Sequence, residues 1–101
     1  MMLLEFEWDE KKNAINIMKH GVSFDDAKAV FFDSERFEFY DEGHSFFEDR
    51  WLILGLSGWE LLMVSCTERK GRIRIISARK ATKNEEEEYF NGYGTSNSFC
   101  P

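Results

Sequence analysis

Proline and cysteine are nearly absent from this chain of 101 residues, and it contains no long apolar run. The single proline is the last residue, Pro101, so no proline ring interrupts an interior helix or strand. The two cysteines, Cys66 and Cys100, lack the pattern of a disulfide scaffold, which favours a reducing, cytoplasmic compartment. Because no apolar run is long enough, we expect neither a membrane span nor a secretory signal.

Metal ligands are also sparse. The chain has two histidines, His20 and His44, and no Cys-x-x-Cys or His-x-x-x-His pair. It lacks a glycine-rich phosphate loop, and Gly55–Gly58 is typical of a hairpin turn rather than of a nucleophile elbow. Cys66 alternates with apolar residues, which indicates a small core residue. We therefore predict no metal and no other cofactor.

Positive charge is in the minority, with 13 basic against 19 acidic residues and a net charge of −6. It is nevertheless concentrated between Thr67 and Lys83. The basic residues of this stretch are Arg69, Lys70, Arg72, Arg74, Arg79, Lys80 and Lys83. A local field of this kind can hold phosphate although the chain as a whole repels polyanions.

Alternation of polar and apolar residues predicts five strands, and capping residues predict three helices. The predicted strands are Leu4–Trp8, Arg36–Tyr40, Arg50–Leu56, Glu60–Glu68 and Arg72–Ile76. Helices are predicted after Asp9, after Ser23 and from Lys83 to Phe90, the first with an apolar stripe at Ala14, Ile15, Ile17 and Met18. The order β-α-α-β-β-β-β-α favours an α+β domain, with one twisted antiparallel sheet, two N-terminal helices and one C-terminal helix. We expect one domain over residues 1–90 and a flexible tail over 91–101.

The end of the last strand decides whether the arginines meet. In an unbroken strand, Arg72 and Arg74 share one face and Arg79 points to the other. The three converge only if the strand ends or bulges near Ser77 or Ala78. If it ends there, a connector over 77–81 can offer backbone N–H groups and guanidinium groups to one anion.

The chain resembles the BrnT family. The matching pieces are Phe6–Asp9, Lys19–Phe24, Ala27, Val30–Phe31, His44, Glu48, Arg50, Gly55–Ser57, Thr67, Arg69, Arg74–Ala81 and Tyr89, within Glu5–Tyr89. The resemblance implies a ribonuclease toxin of a bacterial type II toxin–antitoxin pair, with a RelE-like fold and without a metal. It also implies a BrnA-like ribbon-helix-helix antitoxin that covers the toxin, and operator DNA that is bound through this antitoxin. The acidic charge, with Glu85–Glu88 in the last helix, departs from the family pattern and argues against strong unaided RNA binding.

Metal-free RNA cleavage needs a base for the 2′ hydroxyl, positive charge at the phosphorane and help for the leaving oxygen. His44 is the predicted base, since histidine titrates near neutral pH, and Glu48 is predicted to orient it or to replace it. Arginine binds phosphate oxygens in pairs and stays charged. The predicted catalytic arginines are Arg69, Arg74 and Arg79. The predicted substrate-binding residues are Arg50, Arg72, Lys80, Lys83 and Tyr89.

Simpler interpretations stand beside these predictions. Exposed arginines are often solvated surface, a lone loop histidine such as His44 is often plain surface, and a tyrosine such as Tyr89 on an amphipathic helix is often core. His20 at a helix C-terminus is explained by the helix dipole. Two alternatives to an enzyme therefore remain open. One is a non-catalytic co-repressor that binds the antitoxin, and the other is a domain that binds RNA without cutting it.

Overall fold

A computed structural model describes residues 4–91 as three helices on a five-stranded sheet. The strands are β1 (Phe6–Glu7), β2 (Phe37–Tyr40), β3 (Arg50–Ser57), β4 (Glu60–Arg69) and β5 (Arg72–Lys80). The helices are α1 (Glu10–His20), α2 (Phe24–Ala27) and α3 (Lys83–Asn91), with short 3₁₀ segments at Lys28–Phe32 and Glu42–His44. Across the sheet the strands lie in the order β1-β5-β4-β3-β2. The predicted tail from residue 92 onward lies outside the described residues.

The sheet is mixed, so the predicted α+β class is confirmed and the all-antiparallel arrangement is wrong. Strands β2 to β5 form antiparallel pairs, whereas β1 runs parallel to β5, with Phe6 opposite Ile73 and Glu7 opposite Arg74. Alternation along a strand reports which side chains are buried and carries no information about strand direction. Hairpin turns fix the direction of consecutive strands, but no hairpin links β1 to its partner.

The predicted helix caps are confirmed at atomic detail. The Asp9 carboxylate accepts the N–H groups of the first turn of α1, and Gly21 ends that helix with φ +71°. The Ser23 hydroxyl accepts an N–H group at the start of α2. At α3, Thr82 and Glu85 form a reciprocal capping box, with bonds of 2.9 and 3.2 Å. Each cap satisfies N–H groups that the helix itself leaves without partners.

Helices cover both faces of the sheet, but unequally. The α1 face carries Val64, Cys66 and Ile75, which are buried under α1, α2 and the segment Lys28–Phe32. On the opposite α3 face, Tyr89 of α3 packs against Leu54, Leu61 and Met63 of the sheet. The remainder of the α3 face carries polar and charged residues of β3, β4 and β5, and these residues position the candidate site.

Gly55 lets the 3₁₀ segment approach β3 closely. A Cβ atom on Gly55 would lie 3.1 Å from both the Cβ and the carbonyl oxygen of Val30, and 3.3 Å from the Cβ of Arg36. A side chain at this position would therefore push the 3₁₀ segment away from the sheet.

Candidate functional site

Strand β5 contains a β-bulge that brings its arginines to one face. Cys66 lies opposite Ile75 and Ser65 lies opposite Ser77, so Ile76 is an extra residue in β5. The extra residue reverses the alternation beyond it, and Arg79 therefore lies on the α3 face together with Arg72 and Arg74. A bulge, one of the two conditions for bringing the arginines to one face, is therefore present next to Ser77. The predicted connector over 77–81 is wrong, because β5 continues to Lys80 and its N–H groups belong to a strand.

A buried asparagine holds the edge of β5 beyond the bulge. The amide nitrogen of Asn16 donates to the carbonyl oxygens of Val22 and Ala78, both at 2.8 Å, and its oxygen accepts the Ala78 N–H at 3.1 Å. Because β1 ends at Glu7, Asn16 replaces the strand that would otherwise continue beside β5. This role of Asn16 was not predicted from the sequence. A polar residue inside the predicted apolar stripe was the available signal.

The predicted apolar stripe of α1 is wrong. Ala14, Ile15, Ile17 and Met18 are all exposed, and the buried residue of the helix is Asn16, which is 5% exposed. The helix is held against the sheet by a hydrogen-bonded amide, which periodicity of apolar residues does not detect.

Glu48 joins two of the predicted arginines. Its carboxylate lies 2.8 Å from Arg69 Nη2 and 3.6 Å from Arg50 Nη2. The hydrogen bond from Arg69 holds the pKa of the Glu48 carboxyl below its usual range. Arg50 Nε is buried and has no hydrogen-bond partner within residues 4–91. The cluster therefore contains two guanidinium groups on one carboxylate, with a donor still unused.

A loop whose two ends are fixed by hydrogen bonds places His44 beside this cluster. The Asp41 N–H donates to the Arg50 carbonyl at 2.9 Å, and the Ser45 hydroxyl donates to the Asp41 carbonyl at 2.6 Å and accepts the Arg50 N–H at 3.0 Å. Thr67 Oγ1 donates to the carbonyl of Asp49 at 2.6 Å. These bonds fix both ends of the loop 41–49, which we call the β2–β3 loop. His44, Glu48 and Arg50 line one depression beside it.

The carboxylate that contacts His44 belongs to Asp41. His44 Nδ1 lies 3.1 and 3.2 Å from the two Asp41 oxygens, and the imidazole side chain is 71% exposed. A carboxylate at Nδ1 favours the tautomer with its proton there, which leaves Nε2 able to accept a proton. Glu48, which sequence analysis assigned to this orienting role, contacts the arginines instead.

The arginines in the first half of β5 are paired with carboxylates of the N-terminal segment. Arg74 lies 3.0 Å from Glu7, and Arg72 lies 3.2 Å from Glu5. Thr67 stands between Arg50 and Arg74 in one row across the sheet. With neighbouring strands about 4.8 Å apart, the Arg50 and Arg74 backbones are roughly 10 Å from each other.

Arg79 forms a two-point ion pair with Glu85 of α3. Its two terminal nitrogens donate to the two oxygens of Glu85 at 2.9 and 3.0 Å. This fork raises the pKa of Arg79 and lowers the pKa of Glu85. Arg79 lies opposite Met63, four residues along β4 from Thr67, which is about 13 Å from the row that contains Arg74. Arg79 therefore shares the α3 face but stands apart from the Glu48 cluster.

Replacing Glu85 with glutamine tests this fork. In the folded protein the pKa of Glu85 lies below its ordinary value of 4.5. The ion pair with Arg79 therefore stabilises the fold above pH 4.5, and this stabilisation is lost as the pH falls and Glu85 is protonated. We expect Glu85→Gln to cost about 1 kcal/mol at pH 7, discounted for the exposure of Arg79. In urea titrations, the difference in the free energy of unfolding between Glu85→Gln and the unmodified protein should be smaller at pH 3 than at pH 7. Glu86→Gln, on the exposed side of α3, is the control. An unchanged difference at pH 3 would contradict the assignment.

Three predicted substrate-binding residues lie away from the cluster. Lys80 points to the α1 face, and its Nζ lies 3.2 Å from Glu60. Tyr89 is buried, and its hydroxyl donates to the Asp33 carboxylate, so it anchors α3. Burial and the neighbouring carboxylate raise the pKa of this phenol. Lys83 is exposed in the first turn of α3.

Within the described ranges, no three His, Cys, Asp or Glu side chains are grouped to hold a metal ion. Over the same residues, none of the helices has both the length and the apolar character needed to cross a bilayer. The side chains at the cluster are one imidazole, carboxylates and guanidinium groups.

The fold and the cluster define a small α+β protein with charged residues and a histidine around a depression beside the β2–β3 loop. Residues 8–85 match the family described as the ribonuclease toxin BrnT of type II toxin–antitoxin systems. Because the match spans more than half of the sequence, the chain belongs to the BrnT family, and the resemblance seen in the sequence is confirmed. An antitoxin partner follows from membership of a toxin–antitoxin family. No curated protein matches the chain.

Proposed function

We propose that this protein is the toxin of a type II toxin–antitoxin module and acts as a metal-independent endoribonuclease that inhibits translation and growth. The observation that carries the proposal is the convergence of His44, Glu48 and Arg50 at one depression, with Arg69 paired to Glu48, in a chain of a ribonuclease toxin family. A fold related to RelE-like toxins is part of the proposal.

The residues suit an in-line attack within RNA. His44 Nε2 takes the proton of a 2′ hydroxyl, and the 2′ oxygen then attacks the adjacent phosphorus. The bond from phosphorus to the 5′ oxygen breaks, which leaves a 2′,3′-cyclic phosphate and a 5′ hydroxyl. Arg50 and Arg69 offset the charge on the phosphorane oxygens, and Glu48 holds their guanidinium groups in position. The imidazolium of His44 or a water molecule donates a proton to the 5′ oxygen as it leaves.

The partner in this proposal is a BrnA-like ribbon-helix-helix antitoxin, which covers the toxin and links it to operator DNA. The net charge of −6 favours a basic antitoxin segment over a bare polyanion. RNA then binds at the local cluster rather than across the whole surface.

A non-catalytic co-repressor is the second candidate. The observation that favours it is the pairing of Arg72, Arg74 and Arg79 with Glu5, Glu7 and Glu85, because paired guanidinium groups are less available to phosphate. In this alternative the protein binds the antitoxin and cuts no RNA.

Incubation of antitoxin-free protein with total RNA, with EDTA and with added Mg²⁺, separates these functions. The proposal expects equal cleavage under both conditions and fragments with 2′,3′-cyclic phosphate ends. Cleavage only with Mg²⁺ would overturn metal independence. If the protein binds the antitoxin but cleaves RNA in neither condition, the result supports the co-repressor. If it binds RNA tightly without cleaving it, the result supports an RNA-binding module.

A further inference from the structure

Two consecutive phenylalanines of the β2–β3 loop face solvent. Phe46 is 84% exposed and Phe47 is 102% exposed, which together with Trp59 at 100% makes them the most exposed aromatic side chains of the described residues. Leaving a phenyl ring in water forgoes roughly 1.5–3 kcal/mol of burial. Two such consecutive exposed rings do not stabilise the folded core, and they are therefore a candidate surface for contact with a ligand or partner.

The two rings share the depression of the candidate site. Phe46 and Phe47 line it together with His44, Glu48 and Arg50. Hydrogen bonds among Asp41, Ser45 and Arg50 hold together the two ends of the loop that carries the rings. A ligand at His44 consequently meets the rings and at least one guanidinium group together, and little backbone freedom is lost on binding.

Aromatic faces beside guanidinium groups are the combination that single-stranded nucleic acids require. Unpaired bases stack on phenyl rings, and their phosphates bind the neighbouring cations. A duplex offers no free base faces, because its bases stack on one another. Trp59, which is 100% exposed, lies in the β3–β4 turn, about 25 Å along β3 from this depression.

We propose that Phe46 and Phe47 form a stacking subsite for unpaired bases of RNA, beside the phosphate on which His44 acts. The substrate class is therefore single-stranded RNA, and the inference deepens and rests on the proposed function. The subsite contributes binding through base faces and takes no part in proton transfer.

The test uses a 2′-O-methyl oligonucleotide, which cannot be cleaved through its 2′ oxygen, and the same backbone with abasic positions. For the Phe46→Ala, Phe47→Ala double variant we expect affinity for the base-containing strand to fall by on the order of tenfold or more. Affinity for the abasic strand should stay unchanged. Trp59→Ala, which removes an equally exposed ring far from the depression, should bind both strands as the unmodified protein does. Thermal unfolding of each variant confirms that the fold is retained.

Three results would overturn the inference. They are equal binding of base-containing and abasic strands by the unmodified protein, an unchanged affinity in the double variant, and loss of antitoxin binding with oligonucleotide binding intact. The last would assign the rings to the antitoxin. The outcome is separable from that of the proposed function, since the probe measures binding without chemistry. Base-dependent binding that depends on the two rings, in a protein that cleaves no RNA, supports the subsite and refutes the enzyme.

Discussion

His44→Ala is expected to slow RNA cleavage by about 100-fold or more, the usual loss when a general base is removed. The depression at Glu48 and Arg50 offers no second imidazole, since the only other histidine, His20, ends α1. The measurement is the single-turnover rate on a single-stranded RNA oligonucleotide at neutral pH. Binding of the uncleavable oligonucleotide should change little, because phosphate is held by the arginines.

His20→Ala is the matched control for this variant. His20 is exposed at the C-terminal end of α1, where its place is explained by the helix dipole, and its removal should leave the rate unchanged. Asp41→Asn should give an intermediate loss, since it alters the partner of His44 Nδ1 while retaining the imidazole. Cleavage by His44→Ala at the unmodified rate would show that the base lies elsewhere.

Asn16→Leu is expected to lower the free energy of unfolding by about 3 kcal/mol. The leucine side chain has the same number and branching of heavy atoms, but it leaves the N–H and carbonyl of Ala78 and the carbonyl of Val22 without their hydrogen bonds in a buried place. Each unsatisfied buried group costs on the order of 1–3 kcal/mol, partly relieved by the added apolar burial. Urea titration measures the loss as a lower midpoint with little change in slope.

Asn84→Leu is the control for the asparagine variant. Asn84 is exposed in the first turn of α3, where the same substitution should change stability by about 0.5 kcal/mol or less. If Asn16→Leu unfolds at the same urea concentration as the unmodified protein, the amide does not hold β5 as described.

Local signals in the sequence predicted the elements of the fold well. Asp9, Ser23 and the Thr82–Glu85 box begin helices, because capping depends on residues two or three positions away. The direction of β1 could not be obtained in this way, since its partner Ile73 is set by the path of the whole chain. Asn16 was missed for a related reason: its three hydrogen bonds depend on where Val22 and Ala78 lie in space.

The candidate site was predictable only in part. Clustering of basic residues indicated the strand that carries Arg72, Arg74 and Arg79, and the need for a bulge followed from alternation. The carboxylates that pair with these arginines were not apparent, because a sequence shows charges and not their partners. Whether His44 and the arginines act on RNA remains a prediction that the variants above test.

The pairing of β1 with β5 also has a consequence for synthesis of the chain. The parallel pairing of β1 with β5 can form only after Ile73, which lies 67 positions after its partner Phe6, has been synthesised. A nascent chain that stops before β5 lacks the strand between β1 and β4, and with it Arg72, Arg74 and Arg79. Loop closure over such a separation is slow compared with hairpin formation, so the sheet is completed late. Products of interrupted translation that stop before β5 are therefore expected to be inert, and only a chain that includes β5 and α3 acquires the complete α3 face.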